Sequence, residues 1–194
     1  MNQDRIILAS SSPYRKTLLE RLQIEFTIVS PDIDEQRFQN ESVNEYVVRL
    51  AEEKAKCVAS NHPDAIVIGA DQAVECDGKI LGKPENHDNA KQQLMAMSNK
   101  SLSFYTGIYV INTKTKLAEK DVIIYRVSFR NLSEIEIEDY LDKERPYLCA
   151  GSFMSEKLGI SLLTKMEGAD PTALIGLPLI RLCEMLRNQG MKIP

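Results

Sequence analysis

Residues 65–70, Ala-Ile-Val-Ile-Gly-Ala, form a continuous apolar run that ends at Asp71. A run of this kind, with no polar alternate, suits a strand buried on both faces, and such a strand needs helices on either side of its sheet. The chain supplies them. Ile6-Ile7-Leu8-Ala9 reads as a second short buried strand, followed by a helix from Ser12 to about Leu22 and a strand over Phe26–Val29, a β-α-β opening. Ser42 with Glu45 makes a capping box, and Val43, Val47, Leu50, Ala51, Lys54 and Ala55 trace one face of a helix reaching about Ser60. Lys54 sits at the edge of that stripe. Asn61-His62-Pro63-Asp64 breaks the helix, the apolar run follows, and Asp71 is read as its terminator.

Downstream, Asp77-Gly78 between Ala73–Cys76 and Lys79–Leu81 predicts a hairpin. A helix is expected over His87–Ser98. Residues 101–112 and 117–130 alternate apolar and polar side chains and predict a long antiparallel pair. Ser133 and Glu136 form a second capping box, opening a helix to about Lys143, and Ile160–Thr164 reads as a strand. Pro178 starts a last helix that Gly190 should end. There is no repeat, low-complexity stretch or linker, and 194 residues fit one domain spanning 1–194. The expected fold class is α/β with a mixed sheet.

The charge balance, 24 Lys and Arg against 28 Asp and Glu, argues against a nonspecific nucleic-acid binder but allows a small anion in a local basic pocket. Cys57, Cys76, Cys149 and Cys183 are too scattered for a zinc site. The Ile6–Ala9 run is too short for a signal peptide, and no apolar run approaches the ~20 residues of a membrane span, so a cytoplasmic, membrane-free protein is expected. His62 and His87 both have loop contexts and give no convincing base for a Ser-His-Asp or Cys-His mechanism. The G-x-S-x-G, P-loop and G-x-G-x-x-G motifs are all missing from the sequence. Carboxylates, lysines, arginines and hydroxyls remain.

Ser12-Pro13 is a helix start that puts Arg15 and Lys16 in or beside the first turn. Two cations at the positive end of a helix dipole are unfavourable by some tenths of a kcal/mol each (roughly 0.3–1 in the usual range), and a docked phosphate would account for them. A plain capped helix with solvated charges is the alternative. Asp71 is brought to the carboxyl end of a buried strand, where open α/β sheets place ligands, and Asp34-Glu35 follow the second strand in the same manner. Oxygen donors of this type suit Mg²⁺ or Mn²⁺, although acidic residues after strands are also common turn formers. Taken alone, Lys83 in Gly82-Lys83-Pro84 reads more readily as a solvated loop charge than as a site residue, and Lys54 as a snorkelling one.

Together, S-S-S-P-Y-R-K (10–16), D-I-D-E (32–35), E-E-K-A (52–55), I-G-A-D-Q (68–72), G-K-P (82–84), Y-T-G (105–107), G-S-F-x-S-E (151–156) and G-L-P-L (176–179) resemble the Maf family of nucleotide pyrophosphatases over almost the whole chain. Tyr14, Gln72 and Glu156 are similar to its 7-methyl-GTP pyrophosphatase subgroup, and these three positions would set substrate specificity. The resemblance implies a two-lobed domain with a central cleft, related to the inosine-triphosphate pyrophosphatases. It also implies cleavage of the α–β bond of a nucleoside triphosphate that removes modified nucleotides. Asp71 would accept the proton, Ser12, Arg15, Lys16, Lys54 and Lys83 would bind substrate phosphates, and Glu35 with Asp71 would hold Mg²⁺ or Mn²⁺. Two departures stand out. Tyr14 occupies a place where the subgroup often has Trp, and Lys16 one where Arg is common, so the bidentate fork of Arg is lost there. A dTTP or UTP pyrophosphatase of the same family, or a non-catalytic nucleotide-binding regulator of cell division, are the alternatives, and a homodimer is left open.

Overall fold

The computed structural model describes residues 5–194. Strand β1 (Arg5–Ala9) pairs in parallel with both β2 (Phe26–Val29) and β3 (Ala65–Cys76), so the apolar run lies inside the sheet. Strand β4 (Lys79–Leu81) folds back on the end of β3 through the Asp77-Gly78 turn. β5 (Ser101–Asn112), β6 (Ala118–Phe129) and β7 (Leu163–Glu167) extend the sheet antiparallel, in the order β2-β1-β3-β5-β6-β7. The result is a mixed α/β sheet.

Two expectations are corrected. Asp71 does not terminate its strand, because β3 continues to Cys76 for 12 residues in all. Parallel pairing with β1 stops at Ala9↔Gly69, but β5 keeps pairing with β3 as far as Glu75↔Ser103, so Asp71 sits in mid-strand just beyond the end of β1. The strand expected over 160–164 begins later, at Leu163, because Leu158–Leu162 coils into 3-10 turns that bury Leu162 and leave Ile160 exposed.

The helices are α1 (Pro13–Glu20), α2 (Val43–Ala59), α3 (His87–Met97), α4 (Glu134–Glu144) and α5 (Leu179–Asn188). Capping boxes at Ser42/Glu45 and Ser133/Glu136 form as expected. Helix α1 ends at Glu20, short of Leu22. Helix α2 lies on one sheet face, packing Ala51, Ala55 and Val58 on Ile7, Ala9, Val67 and Tyr109. It lies very close to the strands. A Cβ at Gly69 would come within 2.1 Å of the Ala51 carbonyl oxygen, and one at Gly107 within 2.3 Å of the Val47 oxygen. Asp71 is the cross-strand partner of Gly107, so the same close contact brings α2 down beside Asp71.

Strand alternation turns the even-numbered residues of β3 and β5 to the opposite face, where they carry two cores instead of one. Ile66, Ile68, Ala70, Ile108 and Val110 pack under α1 and α5. Val74, Cys76, Leu102 and Phe104 pack with α3 and α4. The two cores are the two lobes, and they share the strands beneath them.

Candidate active site

A cleft of about 730 Å³ lies between the lobes. One wall carries residues 10–15 and 174–176, the other residues 80–85 and 148–156, and Glu35, Tyr46, Lys54 and Asp71 complete the lining. At its floor the Lys54 ammonium lies 2.5 Å from Asp71 Oδ1 and 2.8 Å from Glu35 Oε1. Lys54 is 6% and Asp71 7% exposed, so this is a buried ion pair, whereas Glu35 is largely open to the cleft. Burial opposes ionisation of Glu35, but the Lys54 hydrogen bond and the charges of Lys54, Lys83 and Arg15 outweigh it and hold the carboxyl below its ordinary value. Lys54 does not snorkel. It leaves the apolar stripe of α2 to meet two carboxylates supplied by other segments.

The Glu35 segment is strapped to α2. Tyr46, on the first turn and a half of the helix, donates its hydroxyl to the Glu35 carbonyl (3.0 Å). Arg49 pairs with Glu41 (2.6 Å) and Glu53 (3.1 Å), donates to the Gln36 carbonyl (2.9 Å) and lies 4.0 Å over the Phe38 ring. Neither residue stands out in the sequence, because both act mainly on a loop that has no pattern of its own.

Ser12 caps α1 by accepting from the Arg15 backbone N–H (3.4 Å), and Ser10 accepts from the Ser12 N–H (3.1 Å). Arg15 turns into the cleft, where its Nε donates to the Gly176 carbonyl (2.9 Å). Burial lowers its pKa, and the charges of Asp71 and Glu35 oppose that shift. Lys16 is not brought to the cleft. One residue further along the helix, about 100° of rotation, points it to solvent, where it meets Glu20 at 3.7 Å. Lys83 does line the cleft, on a turn whose Gly82 carbonyl accepts from the Gln93 side chain (3.1 Å) and the Gly151 N–H (3.4 Å).

Tyr14 reaches across the cleft to the wall that carries Glu156. The Cys149 thiol donates to the Tyr14 oxygen (3.4 Å), and the Tyr14 hydroxyl reaches Met154 Sδ (3.5 Å). This hydrogen bonding with Cys149, burial, and the carboxylates of Glu156 and Glu144 push the phenol up, keeping it neutral. Gln72 also lines the cleft, but its amide nitrogen is taken up by protein groups: Thr106 Oγ1 (3.1 Å) and the carbonyls of Ala173 (2.8 Å) and Leu174 (3.1 Å).

Among the described residues no group of three or more His, Cys, Asp or Glu converges as a ready metal cage. Lys54 engages one oxygen of Glu35 and one of Asp71, leaving each carboxylate a second oxygen. That donor set fits a hard divalent ion which completes its shell with water and substrate oxygens, as Mg²⁺ does. No helix among the described residues is long and apolar enough to cross a membrane.

The family described as Maf-like protein matches residues 5–189. The 7-methyl-GTP pyrophosphatase of Methylobacillus flagellatus is 50% identical over 97% of this chain and 98% of its own length. That of Albidiferax ferrireducens is 47% identical over 98% and 96%. Among solved structures, the Ham1 protein of Staphylococcus aureus superposes with a TM-score of 0.44 and 15% identity over 67% of this chain and 72% of that one.

Proposed function

The chain belongs to the Maf family, and from that premise we propose that it is a cytoplasmic, single-domain nucleoside triphosphate pyrophosphatase that converts 7-methyl-GTP and water to 7-methyl-GMP and pyrophosphate. The observation that carries this reading is the Lys54 ammonium joining Asp71 and Glu35 at the floor of a cleft that Arg15 and Lys83 also enter. The triphosphate lies along the cations. Asp71 takes a proton from the attacking water, while Arg15 and Lys83 offset charge on the phosphoryl oxygens and the departing pyrophosphate. A Mg²⁺ or Mn²⁺ ion held by the second oxygens of Glu35 and Asp71 would polarise the phosphate and lower the pKa of its bound water. Lys54 holds both carboxylates at the floor of the cleft and favours the ionised form of Glu35.

The base is recognised between the walls, by Tyr14 from one side and Glu156 from the other. N7-methylation makes guanine cationic, and a cationic ring stacks well on an electron-rich aromatic face, worth about 2 kcal/mol when desolvated. Tyr14 supplies that face. Glu156 accepts from the two guanine edge donors and complements the positive ring.

The experiment is pyrophosphate release from a panel of triphosphates with Mg²⁺ or Mn²⁺. The expected order is 7-methyl-GTP above GTP above dTTP, with turnover lost on chelation and restored by the metal. Glu156→Gln should lower kcat/KM for 7-methyl-GTP about 10–200-fold and leave the pyrimidine triphosphates nearly untouched. Faster cleavage of dTTP or UTP by the wild-type protein would move the assignment to the sister substrates.

The two basic neighbours of α1 should separate in the same assay. Arg15→Ala is expected to weaken kcat/KM for every triphosphate by about 10-fold or more, the loss of a charge-assisted contact. Lys16→Ala should behave like Lys114→Ala, since Lys16 faces Glu20 and solvent. Equal losses at Arg15 and Lys16 would mean that α1 presents both cations to the substrate.

A further inference from the structure

Between the two cores, β3 and β5 place one polar pair. Gln72 and Thr106 are cross-strand partners, so their side chains share a face. Thr106 is fully buried. Its hydroxyl donates to the Ala173 carbonyl (2.8 Å) and accepts from the Gln72 amide (3.1 Å), which also donates to the Ala173 (2.8 Å) and Leu174 (3.1 Å) carbonyls. With its single proton and a lone pair both engaged, this hydroxyl cannot rotate without giving up its bond to the Ala173 carbonyl and turning its proton toward the Gln72 amide, which would leave that carbonyl to Gln72 alone.

The two carbonyls belong to a 3-10 turn, Ala173–Ile175, that ends at Gly176 with φ 114°. The Gly176 N–H returns to the Thr172 (3.2 Å) and Ala173 (3.0 Å) carbonyls. Its own carbonyl accepts from Arg15 Nε at 2.9 Å, and a Cβ at Gly176 would lie 3.5 Å from that nitrogen. The left-handed conformation favours glycine, whereas the 3.5 Å contact alone would admit a Cβ. Buried Asp170 holds the other end of the turn, accepting from the Thr172 N–H (2.9 Å) and the Ile180 N–H (2.8 Å). The other bond of the Arg15 guanidinium, to Ser10 Oγ, is long at 3.4 Å. The Gly176 carbonyl therefore dominates the aim of Arg15, and Thr106 with Gln72 fixes the turn that carries this carbonyl.

We propose that Thr106 is a positioning residue for phosphate binding: paired with Gln72, it clasps the 173–176 turn, which aims the Arg15 guanidinium into the cleft. Gln72 then acts through the turn and not by reading the nucleobase. The inference rests on the cleft being a triphosphate site, so its test uses inorganic tripolyphosphate, which has no base.

Tripolyphosphate affinity is measured by calorimetry for wild type, Thr106→Val, Thr106→Ser, Arg15→Lys and the Thr106→Val/Arg15→Lys double variant. Thr106→Val, which keeps the shape and removes the hydroxyl, should weaken binding about 5–10-fold, and Thr106→Ser should stay within about twofold of wild type. In the Arg15→Lys background the Val substitution should add less than about twofold, because the two residues act as one unit. Gln72→Met should give the same cycle if Thr106→Val does not fold, and should leave the kcat/KM ratio of 7-methyl-GTP to GTP unchanged. Additive losses, or a changed ratio in Gln72→Met, overturn the proposal. Coupled binding in a protein that hydrolyses no nucleotide would overturn the pyrophosphatase reading alone, whereas no tripolyphosphate binding by wild type overturns both.

Discussion

Asp71→Asn is expected to cut turnover of 7-methyl-GTP about 10²–10⁴-fold, the usual contribution of a positioned base, while nucleotide affinity stays within a few-fold. Asn keeps the size of the side chain and removes the group proposed to accept the proton. The fold should tolerate the change, because Lys54 keeps its 2.8 Å contact with Glu35, which is open enough to the cleft to remain solvated. Steady-state kcat and calorimetric affinity on the same preparation separate the two effects. Turnover above about a tenth of wild type would remove Asp71 from the role of base.

Lys54→Met should harm both stability and rate. It leaves Asp71, 7% exposed, without its 2.5 Å partner and facing the negative Glu35. Breaking a buried pair by removing one member typically costs about 3–5 kcal/mol, and contact with the cleft places this case near the lower end. For a chain of this size that corresponds to a fall in Tm of roughly 6–12 °C. The penalty is that of an uncompensated buried carboxylate. Turnover should drop by about 10²-fold or more because neither carboxylate is held in place. A Tm within about 2 °C of wild type at neutral pH would show that Lys54 contributes little to holding the floor of the cleft.

What could be read from the sequence was whatever has a local code. Ser42 with Glu45 and Ser133 with Glu136 announce helix starts through their own side chains. Asp77-Gly78 announces its hairpin, and the alternation of β5 and β6 their pairing. The length of β3 was not legible, since the partner that keeps it extended past Asp71, from Gln72↔Thr106 to Glu75↔Ser103, lies 28 to 34 residues away. Lys54 looked like a snorkelling edge residue because nothing near it in sequence supplies its two carboxylates. Arg15 and Lys16 read alike as neighbours in the chain, and only the helical rotation separates them. Gln72 was legible as a motif position but not by its bonds, whose carbonyl partners lie 101 and 102 residues further on.

Strands β3 and β5, each 12 residues long, run without interruption beneath both cores. A cleft between lobes usually invites the picture of two bodies swinging on a hinge, but here the supposed hinge is a hydrogen-bonded ladder continuous from one body to the other. Swinging the lobes apart would mean breaking or severely shearing that ladder at the Gln72–Thr106 row, next to Asp71. The jaws are therefore set at a nearly fixed gape, and substrate meets a mouth that is already shaped, with little reorganisation to oppose binding. The parts of the cleft's edge outside the ladder are the Glu35 strap, latched to α2 by Tyr46 and Arg49, and the Lys83 turn.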